Sequence, residues 1–414
     1  MRKTTRTRLT VRLGGVLLAV ALVAAACGGD DSETAAAPPP PEPPPAAEPA
    51  PAPEPPPAAE PAPAPEPPPA AEPAPAAEPM TGRCGDPDRL GDSINFLNWA
   101  DYIDESVLSD FEAECGVEII MDTHIANEEA VAKVDAGNSG YSLVIVTDYA
   151  IEILHSQGLL QELDHSLLPN SALLDPNQMD IYYDPGNRYS LPFQYSTTGL
   201  AYDVTAFDEP PTSWSALFDD NQHCGQSSIL DDQREAIGAA LVYNGYGWNE
   251  SDPAAHDLAL DSLLAARDCI SAFDSANHIG NLASGEVLVA AAWGFGAAIA
   301  YLDNPNVRFV IPDEGGTIWQ DGMVIPADAP DPYTAHVFIN YMLEPDVGAK
   351  ITEFLLTFTP NLEVPQLLSD AYYDVIDTSG LAVTSDVRER LVWQVRDETH
   401  AIFADTWSEV IASG

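Results

Sequence analysis

Basic residues are scarce in this sequence. Its 414 residues include 16 Lys and Arg against 65 Asp and Glu, which gives a net charge of −49. Such a chain repels phosphates, so nucleic acid is excluded as a partner, whereas cations are attracted from a distance. An acidic or salt-adapted proteome would produce the same excess, so the charge alone does not choose between a cationic ligand and an adapted surface.

Recognisable catalytic motifs are also absent. The sequence contains no G-x-S-x-G, H-E-x-x-H or G-x-x-x-x-G-K, its eight histidines are scattered without ligand spacing, and GFGAAI (294–299) lacks the third glycine of a dinucleotide loop. Asp232 and Glu235 are an alternative pair of carboxylates for glycoside hydrolysis, but at a helix start they suit the binding of an amine. We therefore predict a protein that is not an enzyme and that has no cofactor and no metal.

No apolar run reaches the roughly 20 residues of an ordinary membrane span. Residues 287–302 form a run of 16 with two glycines, where we expect a strand that leads into a helix. The N-terminus has a basic start, a short apolar core and small residues before Cys27, which predicts a lipoprotein signal peptide over residues 1–26. These small residues resemble the bacterial lipobox, which implies that Cys27 is lipidated and anchors the chain to the extracytoplasmic face of the cell membrane, in the periplasm or cell-wall space. An uncleaved signal anchor is the alternative.

Residues 27–81 form a linker rich in Ala, Pro and Glu, in which PEPPPAAEPAPA occurs three times between Pro41 and Ala76. Proline at this density removes amide donors, so the linker is predicted to be an extended, disordered stalk without a core. A docking site for a proline-recognising module is the alternative. The globular part spans residues 82–414, and at roughly 150 residues per domain it suggests two domains.

Cysteine is rare, with five in the chain. If Cys27 carries lipid, four remain, and an even number in an exported protein favours disulfides. Cys84 precedes the first predicted strand and Cys115 ends the helix after it, while Cys224 precedes a later strand and Cys269 lies near the end of a helix. We therefore predict the pairs Cys84–Cys115 and Cys224–Cys269, one in each domain.

Short apolar strands alternate with helices along the globular part, which is the pattern of an α/β protein. The predicted strands are INFL (94–97), VEIIM (117–121), SLVIV (142–146), SSIL (227–230), VLVAAA (287–292) and VRFVI (307–311). In open α/β sheets the carboxyl ends of the strands face the ligand crevice. Binding residues are therefore expected directly after the strands.

Aromatic and acidic residues recur after these strands and in the segment GGTIWQDG. They are Trp99, Asp101, Tyr102, Tyr149, Asp232, Glu235, Trp293, Trp319 and Asp321. Carboxylates form charge-assisted hydrogen bonds with an ammonium, and aromatic faces attract a cation and stack on methylenes. The set predicts a site for a cation with an apolar body, such as a long amine with several charges. Taken singly, Trp99 or Trp293 would more often belong to the core, and Asp232 fits a helix N-cap.

From about Gly91 onward the chain resembles the spermidine/putrescine-binding proteins of bacterial polyamine ABC transporters. The matching stretches are NWADY, SLVIVTDYAIEILHSQGLLQELD, RYSLPFQYSTTGLAYD, TSWSALF, DDQREA, AAAW, DEGGTIWQDGMVIPADA, FINYMLEPDVGAK and TPNLEV. The resemblance implies a two-lobed α/β fold like that of periplasmic binding proteins, with a cleft between the lobes and hinge crossovers near Ser196, Gly322 and Val364. Lobe 1 would comprise residues 82–196 and 322–364, and lobe 2 residues 197–321 and 365–414.

The resemblance also implies a ligand-binding set. Its aromatic box is Trp99, Tyr102, Tyr149, Trp293 and Trp319; its acids are Asp101 and Asp232 for the terminal amines and Glu235 with Asp321 for the inner amine; Thr147 and Gln394 complete it. Two positions depart from the family pattern, since Ala100 replaces a hydroxyl residue and Thr357 a tyrosine. Putrescine-preferring relatives carry an acid at the position of Gly296, which favours spermidine here.

The predicted function is that of a monomeric solute-binding lipoprotein. It would capture a polyamine, spermidine in preference to putrescine, and deliver it to the permease of an ABC transporter for import. Hinge closure would accompany binding. A sensor of polyamines or of another cationic solute on the same scaffold is the alternative, and its fold and pocket would be the same.

Overall fold

The computed structural model describes residues 80, 82–137, 139–219, 221–395 and 400–413. The predicted signal peptide, Cys27 and nearly all of the predicted linker lie outside the described residues. The strands are β1 Ser93–Trp99, β2 Glu118–His124, β3 Leu143–Thr147, β4 Ser190–Asp203, β5 Ser227–Ile229, β6 Ile270–Phe273, β7 Val289–Trp293, β8 Val307–Val310, β9 Gly316–Val324 and β10 Leu391–Trp393. The helices are α1 Glu105–Cys115, α2 Asn127–Asp135, α3 Asp148–Ser156, α4 Ser215–Phe218, α5 Gln233–Tyr243, α6 Pro253–Ala266, α7 His278–Ser284, α8 Gly294–Asp303, α9 Pro332–Met342, α10 Pro345–Leu355, α11 Asp370–Ser379, α12 Ser385–Arg388 and α13 His400–Ala412.

The strands form a mixed sheet in the order β2-β1-β3-β9-β4-β7-β5-β6, with β8 paired to β4 and β10 to β9. At one end β1 runs parallel to β2 and β3, and at the other β5 runs parallel to β6 and β7. The long strands β4 and β9 lie antiparallel to each other between these two parallel sets. Because they are paired on both sides, β4 is buried at all but one position and β9 throughout.

The buried apolar side chains form two groups that meet at β4 and β9. One group packs helices such as α1 and α9 on β1 and β3, and it draws its residues from positions 94–193 and 323–355. The other packs α5, α6 and α8 around β5 and β7, and it draws its residues from positions 200–311 and 356–410. The α/β class is confirmed, while the predicted lobe boundaries remain a prediction.

Local sequence signals set the ends of several helices. Helix α1 starts because the Asp104 carboxylate accepts the backbone N–H of Ser106 at 2.8 Å, and it stops at Gly116, whose φ of 72° suits glycine. The apolar run at 287–302 is a strand followed by a helix, β7 then α8, as predicted. No helix within the described ranges is both long enough and apolar enough to cross a membrane.

Two disulfides tie loops to the packed elements. Cys84 pairs with Cys115 with the Cα atoms 5.2 Å apart, and Cys224 pairs with Cys269 with the Cα atoms 4.1 Å apart. Both predicted pairs are confirmed. The first closes the end of α1 onto the segment before β1, and the second joins the segment before β5 to the one before β6.

Candidate functional site

Strand β9 carries three polar or aromatic side chains on one face. Side chains alternate along a strand, so Thr317, Trp319 and Asp321 point the same way. Beside them, Thr147 of β3 pairs with Asp321, and Thr198 of β4 pairs with Thr317. The candidate site is therefore assembled at the centre of the sheet, where β9 lies between β3 and β4.

Asp321 is a buried carboxyl group at one side of this face. Its side chain is 3 % exposed and accepts a hydrogen bond from the Thr147 hydroxyl at 2.8 Å. Burial raises the pKa of Asp321 to about 6, against the opposing effect of the Thr147 hydroxyl. Tyr102 is buried beside it, and burial together with the charge of Asp321 raises the pKa of Tyr102. The structure thus brings Tyr102, Thr147 and Asp321 together, as the resemblance implied.

Glu235 is a second buried carboxyl group, on the first turn of α5. It is 4 % exposed and accepts hydrogen bonds from the hydroxyls of Thr198 at 2.9 Å and Thr317 at 3.3 Å. Burial, then the charge of Asp232, raise the pKa of Glu235 to about 8, and the Gln394 side chain beside it acts in the opposite direction. Gln394 is buried just after β10 and is near enough to Glu235 to affect its pKa.

Asp232 has the N-cap role that its position allowed. Its carboxylate accepts the backbone N–H groups of Arg234 at 2.8 Å and Glu235 at 3.2 Å, which starts α5. The side chain is half-buried. Capping uses Asp232 to fix the first turn of α5, and this turn is what carries Glu235 into the site.

The negative charge of this site has no basic partner within the described part of the chain. The ion pairs found there involve neither Asp321, Glu235 nor Asp232. Arg234 is next in sequence, but its guanidinium donates to Asn249 at 2.6 Å and to the Val395 carbonyl at 2.8 Å. Without a cation nearby, burial favours the neutral, protonated form of a carboxyl group. A cation that binds in the site would favour the ionised carboxylate and would be stabilised by its charge.

Four aromatic rings form a cluster between these acids. Phe295 lies at its centre, with its ring centroid 6.3 Å from Tyr102, 6.2 Å from Trp293 and 5.9 Å from Trp319. The rings of Phe295 and Trp293 are nearly parallel, at 9°, and the ring of Trp319 is perpendicular, at 82°. Phe295 was not predicted from the sequence. The signal that selected Trp293, an aromatic residue at a strand end, also applies to Phe295 two positions later. We call Tyr102, Trp293, Phe295 and Trp319 the aromatic cluster.

Three other predicted residues lie at strand ends or just after them. Trp99 packs on His124 with the centroids 4.3 Å apart. Tyr149 is buried near the start of α3 and lines a cavity of about 340 Å³ with Gln233. Asp101 is exposed, with a positive φ of 54°. Their ligand-binding roles stay predictions.

The two departures from the family pattern also have defined places. Ala100 is exposed. Thr357 is fully buried and donates to the Gln194 side-chain oxygen at 2.8 Å, while Phe358 packs on Tyr195 with the centroids 5.4 Å apart. Thr357 thus serves a buried hydrogen bond, and Phe358 does not join the aromatic cluster. Among the described residues, no group of three or more His, Cys, Asp or Glu is arranged to hold a metal.

Residues 106–374 match the family described as bacterial extracellular solute-binding protein. The chain is 35 % identical over 282 residues to the putrescine/cadaverine-binding protein of Pseudomonas aeruginosa, covering 65 % of this chain and 80 % of that protein. It is 33 % identical over 279 residues to the spermidine/putrescine-binding periplasmic protein of Escherichia coli, covering 67 % of this chain and 80 % of the relative.

Solved structures show the same likeness. A putative spermidine/putrescine ABC transporter protein of Listeria monocytogenes superposes with a TM-score of 0.72 at 30 % identity, covering 78 % of this chain and 100 % of that one. A lipoprotein of Treponema pallidum superposes with a TM-score of 0.67 at 25 % identity, covering 77 % and 99 %. From the family match and these likenesses, the chain belongs to the bacterial extracellular solute-binding proteins.

Proposed function

We propose that this protein binds a polyamine at the aromatic cluster and delivers it to the permease of an ABC transporter. The observation that carries the proposal is the pair of buried carboxyl groups, Asp321 and Glu235, which flank the aromatic cluster and have no basic partner among the described residues. An ammonium group forms charge-assisted hydrogen bonds with such acids, and the rings hold the methylene chain and attract the charge. Relatives named for spermidine, putrescine and cadaverine binding support this choice of ligand.

Spermidine is the polyamine we propose as preferred. Two carboxyl groups at different places along the cluster suit a ligand with more than one charged nitrogen. Gly296 leaves the end near Trp293 without the acid that putrescine-preferring relatives carry there. A diamine whose two nitrogens pair with Asp321 and Glu235 has no third nitrogen for the end near Trp293.

Binding is expected to close two lobes about a hinge. The two groups of buried apolar residues, joined through β4 and β9, support this view. The ligand can favour the closed state only by its differential affinity for it. Small-angle scattering with and without spermidine measures the change, and superimposable curves would refute closure.

We also propose that Cys27 carries a lipid anchor and that the protein acts as a monomer outside the cytoplasm. The Treponema relative described as a lipoprotein supports the anchor. Mass spectrometry of the membrane fraction tests it, because lipidation adds mass to the peptide that begins at Cys27. Uptake of labelled spermidine by cells with and without the gene separates transport from sensing.

The direct test is titration calorimetry of the purified protein, with its disulfides intact, against spermidine, putrescine, spermine and a neutral diol of similar length. We expect amine binding and no heat from the diol. Asp321→Asn should weaken spermidine binding by roughly 30-fold or more, because losing one partner of a buried charged hydrogen bond costs about 2–5 kcal/mol.

The matched control for this variant is Asp203→Asn. Asp203 is also buried and also bonds a threonine hydroxyl, with Thr205 at 2.6 Å, but it ends β4 away from the site. Its replacement should leave the affinity unchanged. Equal affinities in the wild type and Asp321→Asn would refute the proposed pocket.

A further inference from the structure

His278 begins α7 and packs against the aromatic cluster. The binding of an amine by the acids and rings described above does not involve this residue. Its imidazole stands perpendicular to the Trp293 indole, at 86° with the centroids 5.2 Å apart. The residue is 4 % exposed. It is therefore a buried polar group at the edge of the candidate site.

The protonation of His278 follows from its contacts. Its Nδ1 lies 2.6 Å from the carbonyl oxygen of Ser275. A carbonyl oxygen only accepts hydrogen bonds, so Nδ1 carries the proton and Nε2 presents a lone pair. Burial lowers the pKa of His278, which keeps the ring neutral near pH 7.

The lone pair on Nε2 is directed at the segment that carries two rings of the aromatic cluster. Nε2 is buried and has no hydrogen-bond partner among the described residues. It lies 2.3 Å from the place where a Cβ on Gly296 would sit. Gly296 is one residue beyond Phe295 and three beyond Trp293 on the first turn of α8. The imidazole and any side chain at position 296 therefore compete for the same volume beside these rings.

We propose that His278 is a specificity-determining residue of the polyamine site, whose Nε2 accepts a hydrogen bond from a ligand N–H beside Trp293. This inference rests on the proposed function. A neutral acceptor adds one directed hydrogen bond without adding negative charge. A ligand long enough to place an N–H group beside Trp293 gives Nε2 a hydrogen-bond partner. A shorter ligand leaves this buried acceptor unpaired, and a site built around a hydrogen bond binds such a ligand weakly. His278 would therefore discriminate the triamine spermidine from the diamine putrescine.

The test compares the Kd values of spermidine and putrescine in three proteins. His278→Phe keeps a ring against Trp293 but removes the acceptor, and it should weaken spermidine by roughly tenfold or more while changing putrescine by less than about threefold. His278→Gln keeps an acceptor oxygen and should hold the wild-type ratio of the two Kd values within about threefold.

His223→Phe is the matched control. His223 is also buried, packs on Phe207 with the centroids 4.5 Å apart, and has an Nε2 without a partner among the described residues. It lies four positions before β5, at the amino end of that strand, whereas the site lies beyond the carboxyl end. This variant should bind both amines as the wild type does.

Two results would overturn the role of His278. One is an unchanged spermidine Kd in His278→Phe, and the other is an equal loss for both amines, which would indicate only packing on Trp293.

If His278→Phe does not fold, nitrogen-15 NMR of histidine-labelled wild type decides. The Nε2 resonance should move upfield with saturating spermidine and less with putrescine, and a resonance that spermidine leaves in place refutes the contact. A wild type that binds no polyamine refutes the proposed function as well, whereas polyamine binding with an unmoved Nε2 refutes His278 alone.

Discussion

Glu235→Gln should make the unliganded protein more stable, by an amount that grows with pH. In the folded chain Glu235 has a pKa of about 8, against an ordinary value of 4.5. Between these two values the unfolded chain has released the proton and the folded chain has kept it, so the stability of the wild type falls as the pH rises from about 4.5 to about 8. A glutamine cannot ionise, and its amide can keep the contacts with the hydroxyls of Thr198 and Thr317.

The magnitude follows from the interval between the pKa values. A pH of 7 lies about 2.5 units above the ordinary pKa of a glutamate, yet the folded chain still keeps the proton on Glu235 there. At about 1.36 kcal/mol per unit, the folded state is destabilised by roughly 3 kcal/mol. At pH 5 the same arithmetic leaves less than about 1 kcal/mol. The variant should therefore exceed the wild type in free energy of unfolding by little at pH 5 and by the larger amount at pH 7 and above.

Denaturant unfolding of both proteins at pH 5, 7 and 9, without ligand, measures these differences. Glu105→Gln, an exposed acid at the start of α1, is the control and should give a difference close to zero at each pH. A gain from Glu235→Gln that is independent of pH, or a variant less stable than the wild type at pH 9, would refute the assignment of a charge-destabilised carboxyl. The same variant should bind spermidine more weakly, because the site then lacks one of its two buried acids.

Three further outcomes are expected from the site and the disulfides. Spermidine binding at pH 7 should release protons, because a cation stabilises the ionised form of Glu235; calorimetry in two buffers of different ionisation enthalpy counts them, and equal heats would contradict this. Phe295→Leu should weaken spermidine binding by roughly tenfold, since the attraction of a desolvated cation to an aromatic face is worth about 0.5–2 kcal/mol, with thermal unfolding as the check on the fold. Replacing both Cys224 and Cys269 by serine opens a loop with a sequence separation of 45, and by the loop-entropy relation this should lower the free energy of unfolding by about 4 kcal/mol in denaturant titrations. The variant and the wild type should become equally stable once reductant opens Cys84–Cys115 in both, and no loss under oxidising conditions contradicts the bridge.

Much of the sheet was predictable because six of its strands are short apolar runs, although β2 among them is largely exposed. All six predicted strands occur, and the aromatic and acidic residues at their ends include Tyr102, Trp293 and Glu235. Asp232 fits the N-cap interpretation, and this cap also orients Glu235, while its role as a ligand-binding acid stays a prediction. The pairing of the cysteines was predictable because each pair encloses one strand and the helical segment that follows it.

The two central strands were not recognised as strands, for a physical reason. β4 reads SLPFQYSTTGLAYD and β9 reads GTIWQDGMV. Several of their buried polar residues bond to other elements, as Thr198 and Thr317 do with Glu235 of α5 and as Gln320 does with the Tyr183 hydroxyl at 2.6 Å. A single sequence does not show such partners, which come from other parts of the fold. The same limit hid His278, whose ring packs on Trp293 of another element.

The alternation along β9 constrains how this protein can change its ligand. Thr317, Trp319 and Asp321 face the site, while the opposite face packs so closely that a Cβ on Gly322 would come within 2.5 Å of Ile151. Deleting or inserting one residue in β9 would exchange the two faces and bury Trp319 and Asp321 in the wrong layer. New specificities on this scaffold should therefore arise by point substitution, and natural length variation should be confined to the loops that flank the central strands.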